Sequence, residues 1–142
     1  MYYIIGSNGY IANKIKKIIH NSNLVCISTK RTKNSFKTNI FKKSVKERWI
    51  NKIEENDVIF FMSSFGDLAF HQNNKKLIEK YLKNLKNNFF SKVNHKAKII
   101  FLSSDMVFNG EKFFYTDNSE TKPKNEYGKT KLKIEKMIKF YF

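Results

Sequence analysis

Near the carboxyl end of the chain, Tyr127 and Lys131 stand four residues apart within Pro123-Lys124-Asn125-Glu126-Tyr127-Gly128-Lys129-Thr130-Lys131. At the opening of a helix, that spacing turns both side chains the same way. An ammonium close to a phenol favours the phenolate and draws its pKa down from about 10 toward the working range. A second stretch, Ser103-Ser104-Asp105-Met106-Val107-Phe108-Asn109-Gly110, offers the hydroxyl of Ser104 to hold a carbonyl oxygen beside that phenol. The three groups suit proton transfer coupled to hydride transfer from a nicotinamide. The plainer reading is that Tyr127 packs, Lys131 is one more surface lysine and Ser104 caps a strand. Spacing alone leaves both readings open.

Hydride chemistry needs a dinucleotide, and the first twelve residues offer a place for one. Tyr2-Tyr3-Ile4-Ile5 reads as a short apolar strand, and Gly6-Ser7-Asn8-Gly9-Tyr10-Ile11-Ala12 follows without a spacer. Apolar residues then recur at Ile11, Ile15, Ile18 and Ile19, the stripe of a helix. In this context Gly6 allows a tight turn, Gly9 lets backbone approach a pyrophosphate, and Ala12 keeps the helix close to a sheet. The helix start adds free N–H groups and a favourable dipole. The alternative is an ordinary turn. A second strand, Leu24–Ile27, ends at Ser28-Thr29-Lys30-Arg31, where the adenosine ribose of a dinucleotide would lie. No acidic residue is present there to hold a free 2′-hydroxyl. Ser28, Thr29, Lys30 and Arg31 therefore suit the 2′-phosphate of NADP(H) better than NAD(H), unless this is simply a basic turn.

The elements that must position these groups alternate along the chain. Thr38–Phe41 reads as a short third strand. A helix is expected from Ser44, with Val45, Trp49 and Ile53 at four-residue spacing and Ser44 with Glu47 as a capping box. Val58–Met62 is a continuous apolar run, as in a parallel strand covered on both faces, and Ser63–Asp67 is the loop after it. Leu77, Tyr81, Leu85 and Phe89 mark the clearest helix. Lys98–Leu102 is another buried strand, residues 106–126 form a long aromatic connection, and a last helix begins near Tyr127. The pattern predicts an α/β fold, a Rossmann-like doubly wound parallel sheet, as one NAD(P)-binding domain over residues 1–142. Such sheets bind ligands at the carboxyl ends of their strands, which brings the glycine turn and the tyrosine helix to one edge.

Composition removes several other classes. A hydrophobic content of 41% with 14 phenylalanines supports a packed core. The net charge is +16, but only Arg31 and Arg48 of the 28 basic residues are arginine, and lysine is spread over every segment. A nucleic-acid face would concentrate arginine among aromatics, so only weak nonspecific attraction to polyanions is expected. The single cysteine, Cys26, excludes an internal disulfide and reads as a buried thiol. His20, His71 and His95 form no ligand pattern; no metal is expected, and they read as surface or boundary residues. No apolar run approaches the ~18 residues of a membrane span. No signal-peptide core is present, so the cytoplasm is the expected location.

Four segments in order carry a resemblance: Gly6–Ala12, Asp57–Asp67, Leu102–Gly110 and Pro123–Lys131. They make the chain similar to the N-terminal half of the extended short-chain dehydrogenase/reductases. Within that family they most resemble the dTDP-4-dehydrorhamnose reductases and their nucleotide-sugar reductase and epimerase relatives. The resemblance implies that Ser104 polarises a sugar keto group and that Tyr127 is the acid in reduction. Lys131 would bind the nicotinamide ribose and depress the tyrosine pKa. Gly6, Asn8, Gly9, Tyr10 and Ile11 would line the pyrophosphate turn. Ser63, Ser64 and Phe65 would pass the cofactor, and Asn39 would stand near the adenine. The implied activity is NADP-dependent reduction of a nucleotide-linked 4-keto sugar in surface-polysaccharide sugar synthesis. An epimerase, a noncatalytic dinucleotide-binding module and a protein-interaction module are the alternatives. Family members are usually much longer and continue into a region that grips the nucleotide-sugar. The expectation is therefore a truncated relative without that C-terminal substrate region, completed by a homo-oligomer or a separately encoded C-terminal half. Many members also carry an asparagine in the long helix before the fifth strand, for which Asn84, Asn87 and Asn88 are loose candidates.

Overall fold

The computed structural model describes residues 1–19, 23–30, 35–42 and 48–142. The apolar runs pair as five parallel strands: β1 (Tyr2–Ile5), β2 (Leu24–Ser28), β3 (Ser35–Lys37), β4 (Val58–Phe61) and β5 (Lys98–Phe101). Their order is β3-β2-β1-β4-β5. Ile4 is flanked by Cys26 and Phe60, and Phe60 in turn by Ile100. Helix α1 (Tyr10–Ile18) joins β1 to β2; α2 (Leu68–Asn73) and α3 (Lys75–Leu85) lie between β4 and β5; α4 (Glu126–Tyr141) follows β5. A π-helical turn, Lys86–Phe90, continues α3. This is a Rossmann-like parallel α/β sheet. Strand order reverses between β1 and β4, which opens a crevice at their carboxyl ends.

One face of the sheet carries the main core. Tyr3, Ile5, Ile27, Ile59 and Phe61 are buried with Trp49, Ile78, Leu82, Leu85, Phe89, Phe90 and Ile134. Phe61 lies 5.7 Å from the Phe89 ring and 6.0 Å from that of Phe90. Each such ring, fully buried, contributes about 1.5–3 kcal/mol, so this face anchors α3 and α4 to the sheet. The other face is less covered. Right-handed crossovers place α1 there, away from α2 and α3. Only Ala12 of α1 is buried, while Ile11 is exposed and Ile18 is 85% exposed. The isoleucine stripe lies largely outside the core, and Ala12 makes the close approach to the sheet expected of it. Ile100, on this same face at the edge strand, is 47% exposed.

Other expectations shift locally. The third strand is Ser35–Lys37, paired with Cys26–Ser28, instead of Thr38–Phe41. Asn39 bends the later segment by accepting from the Phe41 N–H at 3.1 Å, a side-chain turn that competes with a strand. The expected capping box of Ser44 and Glu47, together with Val45, lies outside the described residues. Beyond it the chain makes a short 3-10 turn, Ile50–Lys52, and Ile53 is already extended. Helix α2 was not legible as a separate element; Asp67 starts it by accepting from the Phe70 N–H at 2.8 Å. Cys26 is half-buried, and partial burial raises its thiol pKa while Lys16 and Ser7 oppose that shift.

Candidate active site

The β1 turn is held by two backbone bonds, from the N–H groups of Gly6 and Ser7 to the Ile27 carbonyl. Gly6 has φ +86°, and a Cβ there would lie 2.8 Å from Ser63 backbone atoms. No side chain caps α1 at Gly9, so its first N–H groups remain available to an anion. Around this turn is a cleft of about 260 Å³. Gly6, Asn8, Gly9, Ser28, Asn39, Ser63 and Ser64 line it together. Thr29, read with Ser28 as part of the cofactor turn, also lines it, as do Thr38, Ile40, Phe41 and Met62, which were not singled out as cofactor residues. The last three are apolar and carry no chemical signal in the sequence.

Other expected cofactor residues stand elsewhere. Tyr10 is 76% and Ile11 44% exposed, outside the cleft lining. Phe65 is buried, with its ring 4.6 Å from Phe41 and 5.3 Å from His71. Ser28 donates its hydroxyl to the carbonyl of Lys30, while the exposed Lys30 side chain does not line the cleft. Arg31 lies outside the described residues.

Two asparagines in and beyond α3 hold one wall of the cleft. Asn84 Nδ2 donates to the Phe41 carbonyl at 2.7 Å, and Asn88 Nδ2 donates to the carbonyls of Ile40 and Lys42. Both are buried, whereas Asn87 is exposed. They fix the backbone of residues 40–42 because an unpaired buried carbonyl is costly.

The tyrosine helix begins beside the β5 loop. Asn125 caps α4 by accepting from the Gly128 N–H at 2.7 Å. Lys131 is 6% exposed, and its Nζ donates to the Leu102 carbonyl at 2.9 Å. That nitrogen lies 4.9 Å from the Phe101 ring centroid and 5.6 Å from the Tyr127 centroid. Burial lowers the Lys131 pKa, with Glu135 opposing the shift. Ser104 caps a short 3-10 turn, accepting from Met106 N–H at 3.2 Å and donating to Asp105 at 3.1 Å. The fold thus places a partly buried phenol over a buried ammonium, but Ser104, Tyr127 and Lys131 are not part of the cleft lining. Between the cleft loop and the tyrosine stands His71, which is 1% exposed and therefore not the surface or boundary residue expected. Its ring meets that of Tyr127 edge-on at 5.1 Å. Among the described residues, no cluster of His, Cys, Asp and Glu is arranged to hold a metal ion. None of the described helices is long and apolar enough to cross a membrane.

A family model described as RmlD substrate binding domain matches residues 1–141. Among solved structures, a hypothetical dTDP-4-dehydrorhamnose reductase from Sulfolobus tokodaii is similar, with a TM-score of 0.75 and 20% identity. The match covers 96% of this chain and 50% of that one. A dTDP-4-dehydrorhamnose reductase from Clostridium acetobutylicum gives a TM-score of 0.70 at 24% identity, over 99% of this chain and 49% of that one. MoeE5 in complex with UDP-glucuronic acid and NAD gives 0.75 at 14% identity, over 99% and 48%. The chain therefore spans about half the length of these structures. No curated protein sequence matches it. The NAD in the MoeE5 complex overturns the NADP preference read from Ser28, Lys30 and Arg31. Among the described residues of that turn, the Ser28 hydroxyl is committed to a backbone carbonyl and Lys30 is not part of the cleft lining; Arg31 lies outside the described residues.

Proposed function

Because the chain belongs to the RmlD substrate binding domain family, we propose that residues 1–142 form the cofactor-binding domain of an NAD(H)-dependent reductase acting on a nucleotide-linked 4-keto sugar in the cytoplasm. The observation that carries this reading is the uncapped start of α1 beside Gly6, opening onto the cleft at the β1–β4 reversal. The cradle fits a pyrophosphate: a Cβ at Gly6 would strike the Ser63 backbone, and the helix leaves N–H donors unpaired. A cleft of about 260 Å³ falls below the ~300–1,000 Å³ of a whole-ligand pocket, so it takes part of the dinucleotide.

When bound, the cofactor supplies a hydride to the keto carbon. Tyr127 gives its phenolic proton to the carbonyl oxygen as charge develops there. The Lys131 ammonium stabilises the resulting phenolate, and the Leu102 carbonyl keeps that ammonium in place. Ser104 turns its hydroxyl from Asp105 to the substrate oxygen. Further polypeptide completes the sugar site, since this chain spans about half the length of the solved relatives; a homo-oligomer partner or a separately encoded half are two sources of it. A noncatalytic dinucleotide-binding module is the second reading, favoured by the absence of Tyr127 and Lys131 from the cleft lining. The test is NADH binding by fluorescence, then turnover with dTDP-4-dehydrorhamnose. Tyr127→Phe is expected to bind NADH normally and to lose roughly 10²–10⁴-fold in rate. Binding without turnover in a wild type whose sugar site has been completed by the further polypeptide selects the noncatalytic reading, and no binding by folded protein refutes both.

A further inference from the structure

His71 carries no role in the chemistry above, yet it is almost wholly enclosed and polar contacts occupy both of its nitrogens. Nε2 lies 2.6 Å from the Phe65 carbonyl, and Nδ1 lies 3.1 Å from Thr130 Oγ1. The ring is stacked on Phe65 at 5.3 Å and 13°, and meets Tyr127 edge-on at 5.1 Å and 77°. Phe65 follows the cleft-lining Ser63 and Ser64, whereas Thr130 and Tyr127 belong to α4. One imidazole thus joins the cofactor side of the site to the tyrosine side.

We infer that His71 is a positioning residue that sets the orientation of the Tyr127 ring and ties it to the cleft loop. A carbonyl only accepts, so Nε2 must carry a proton. Nδ1 faces the Thr130 hydroxyl, whose single proton it shares with the Glu126 carbonyl. The same Thr130 hydroxyl lies 2.8 Å from the Glu126 carbonyl, one residue before Tyr127. The polar chain runs from Phe65 through His71 and Thr130 into the first turn of α4. A buried ring with both edges fixed cannot rotate without leaving polar atoms unpaired, at a cost that a purely apolar ring would not incur. Tyr127 packs against that fixed ring and inherits its orientation. The role rests on Tyr127 being the proton donor proposed above.

The experiment combines nitrogen NMR of His71 with carbon NMR of ring-labelled Tyr127, in wild type, His71→Phe and His71→Gln. The wild type is expected to show a protonated, slowly exchanging Nε2. His71→Phe keeps a ring but loses both polar links, and should shift or broaden the Tyr127 ring signals. His71→Gln restores a donor toward Phe65 and should recover them in part. In turnover assays His71→Phe should lower kcat roughly 10–100-fold, as misplacement of a reacting group does, with the KM for NADH within about twofold. If His71→Phe does not fold, Thr130→Val removes the helix-side partner and should move the same Tyr127 signals. A wild type that shows no turnover even with its sugar site completed defeats the reductase reading, while the NMR arm still decides the role of His71. A bare Nε2 overturns the inference, as do unchanged Tyr127 signals in a folded variant.

Discussion

Gly128 sits in the first turn of α4, one residue after the tyrosine, and replacing it by alanine sets two effects against each other. Alanine is the better helix former by up to ~1 kcal/mol. The added Cβ, however, would stand 2.1 Å from the Met106 carbonyl oxygen, 2.8 Å from its carbon and 3.0 Å from Pro123 Cβ. Heavy atoms pack at about 3.5 Å, so α4 and the 105–107 turn must separate by about 1 Å. Overpacking of this kind costs about 1–3 kcal/mol, and the obstacle is backbone, which yields poorly. Moving the helix start also strains the bond from Gly128 N–H to the Asn125 cap, worth about 1 kcal/mol. The clash wins, and Gly128→Ala should lose about 2 kcal/mol by the overpacking scale. For a chain of this size that is a fall in Tm of about 4–8 °C. Urea unfolding should show a lower midpoint with an unchanged slope. A variant as stable as the wild type, or more so, would refute the close approach of α4 to Met106.

Asn84→Ala leaves the Phe41 carbonyl unpaired in the wall of the cleft and should cost about 1–3 kcal/mol in urea unfolding, with weaker NADH binding; a loss below about 0.5 kcal/mol would place that wall elsewhere. Lys131 has a lowered folded-state pKa, so between that value and its ordinary one the unfolded chain binds the extra proton. Wild-type stability relative to Lys131→Met should therefore rise as pH climbs from neutrality through that window, and a flat difference would show that the ammonium is not buried. Isothermal titration should find NADH bound at least as tightly as NADPH, with the ratio within about twofold in Lys30→Ala, since a charge outside the cleft is screened by solvent. Tighter NADPH binding that depends on Lys30 would overturn the account of the β2 end.

The early glycine turn and the tyrosine helix were legible because each is local. Gly6 follows a strand directly and adopts the positive φ that its position demands, and Tyr127 and Lys131 share a helix face through spacing alone. Asn39 shows where local reading fails: its side chain closes a turn at Phe41, so the third strand forms earlier, at Ser35–Lys37. Helix α1 shows another limit. Ala12, read as the residue that lets the helix approach the sheet, is its buried contact, but the isoleucine pattern did not show that Ile11 and Ile18 would be exposed.

By itself the sequence determined the alternation of most strands and helices, the parallel sheet class and the two motifs that lie at its carboxyl edge. These follow from periodicity and from residue types whose backbone needs are met within a few positions. Tertiary structure alone decided what the polar side chains are bonded to. Ser28 is turned onto Lys30, Lys131 onto the Leu102 carbonyl, Asn84 onto Phe41, and His71 between Phe65 and Thr130. Apart from the Ser28 turn, these partners are separated by 6 to 59 positions along the chain. No pattern in the sequence pairs them, because a buried polar group takes whichever partner the packed backbone brings within reach.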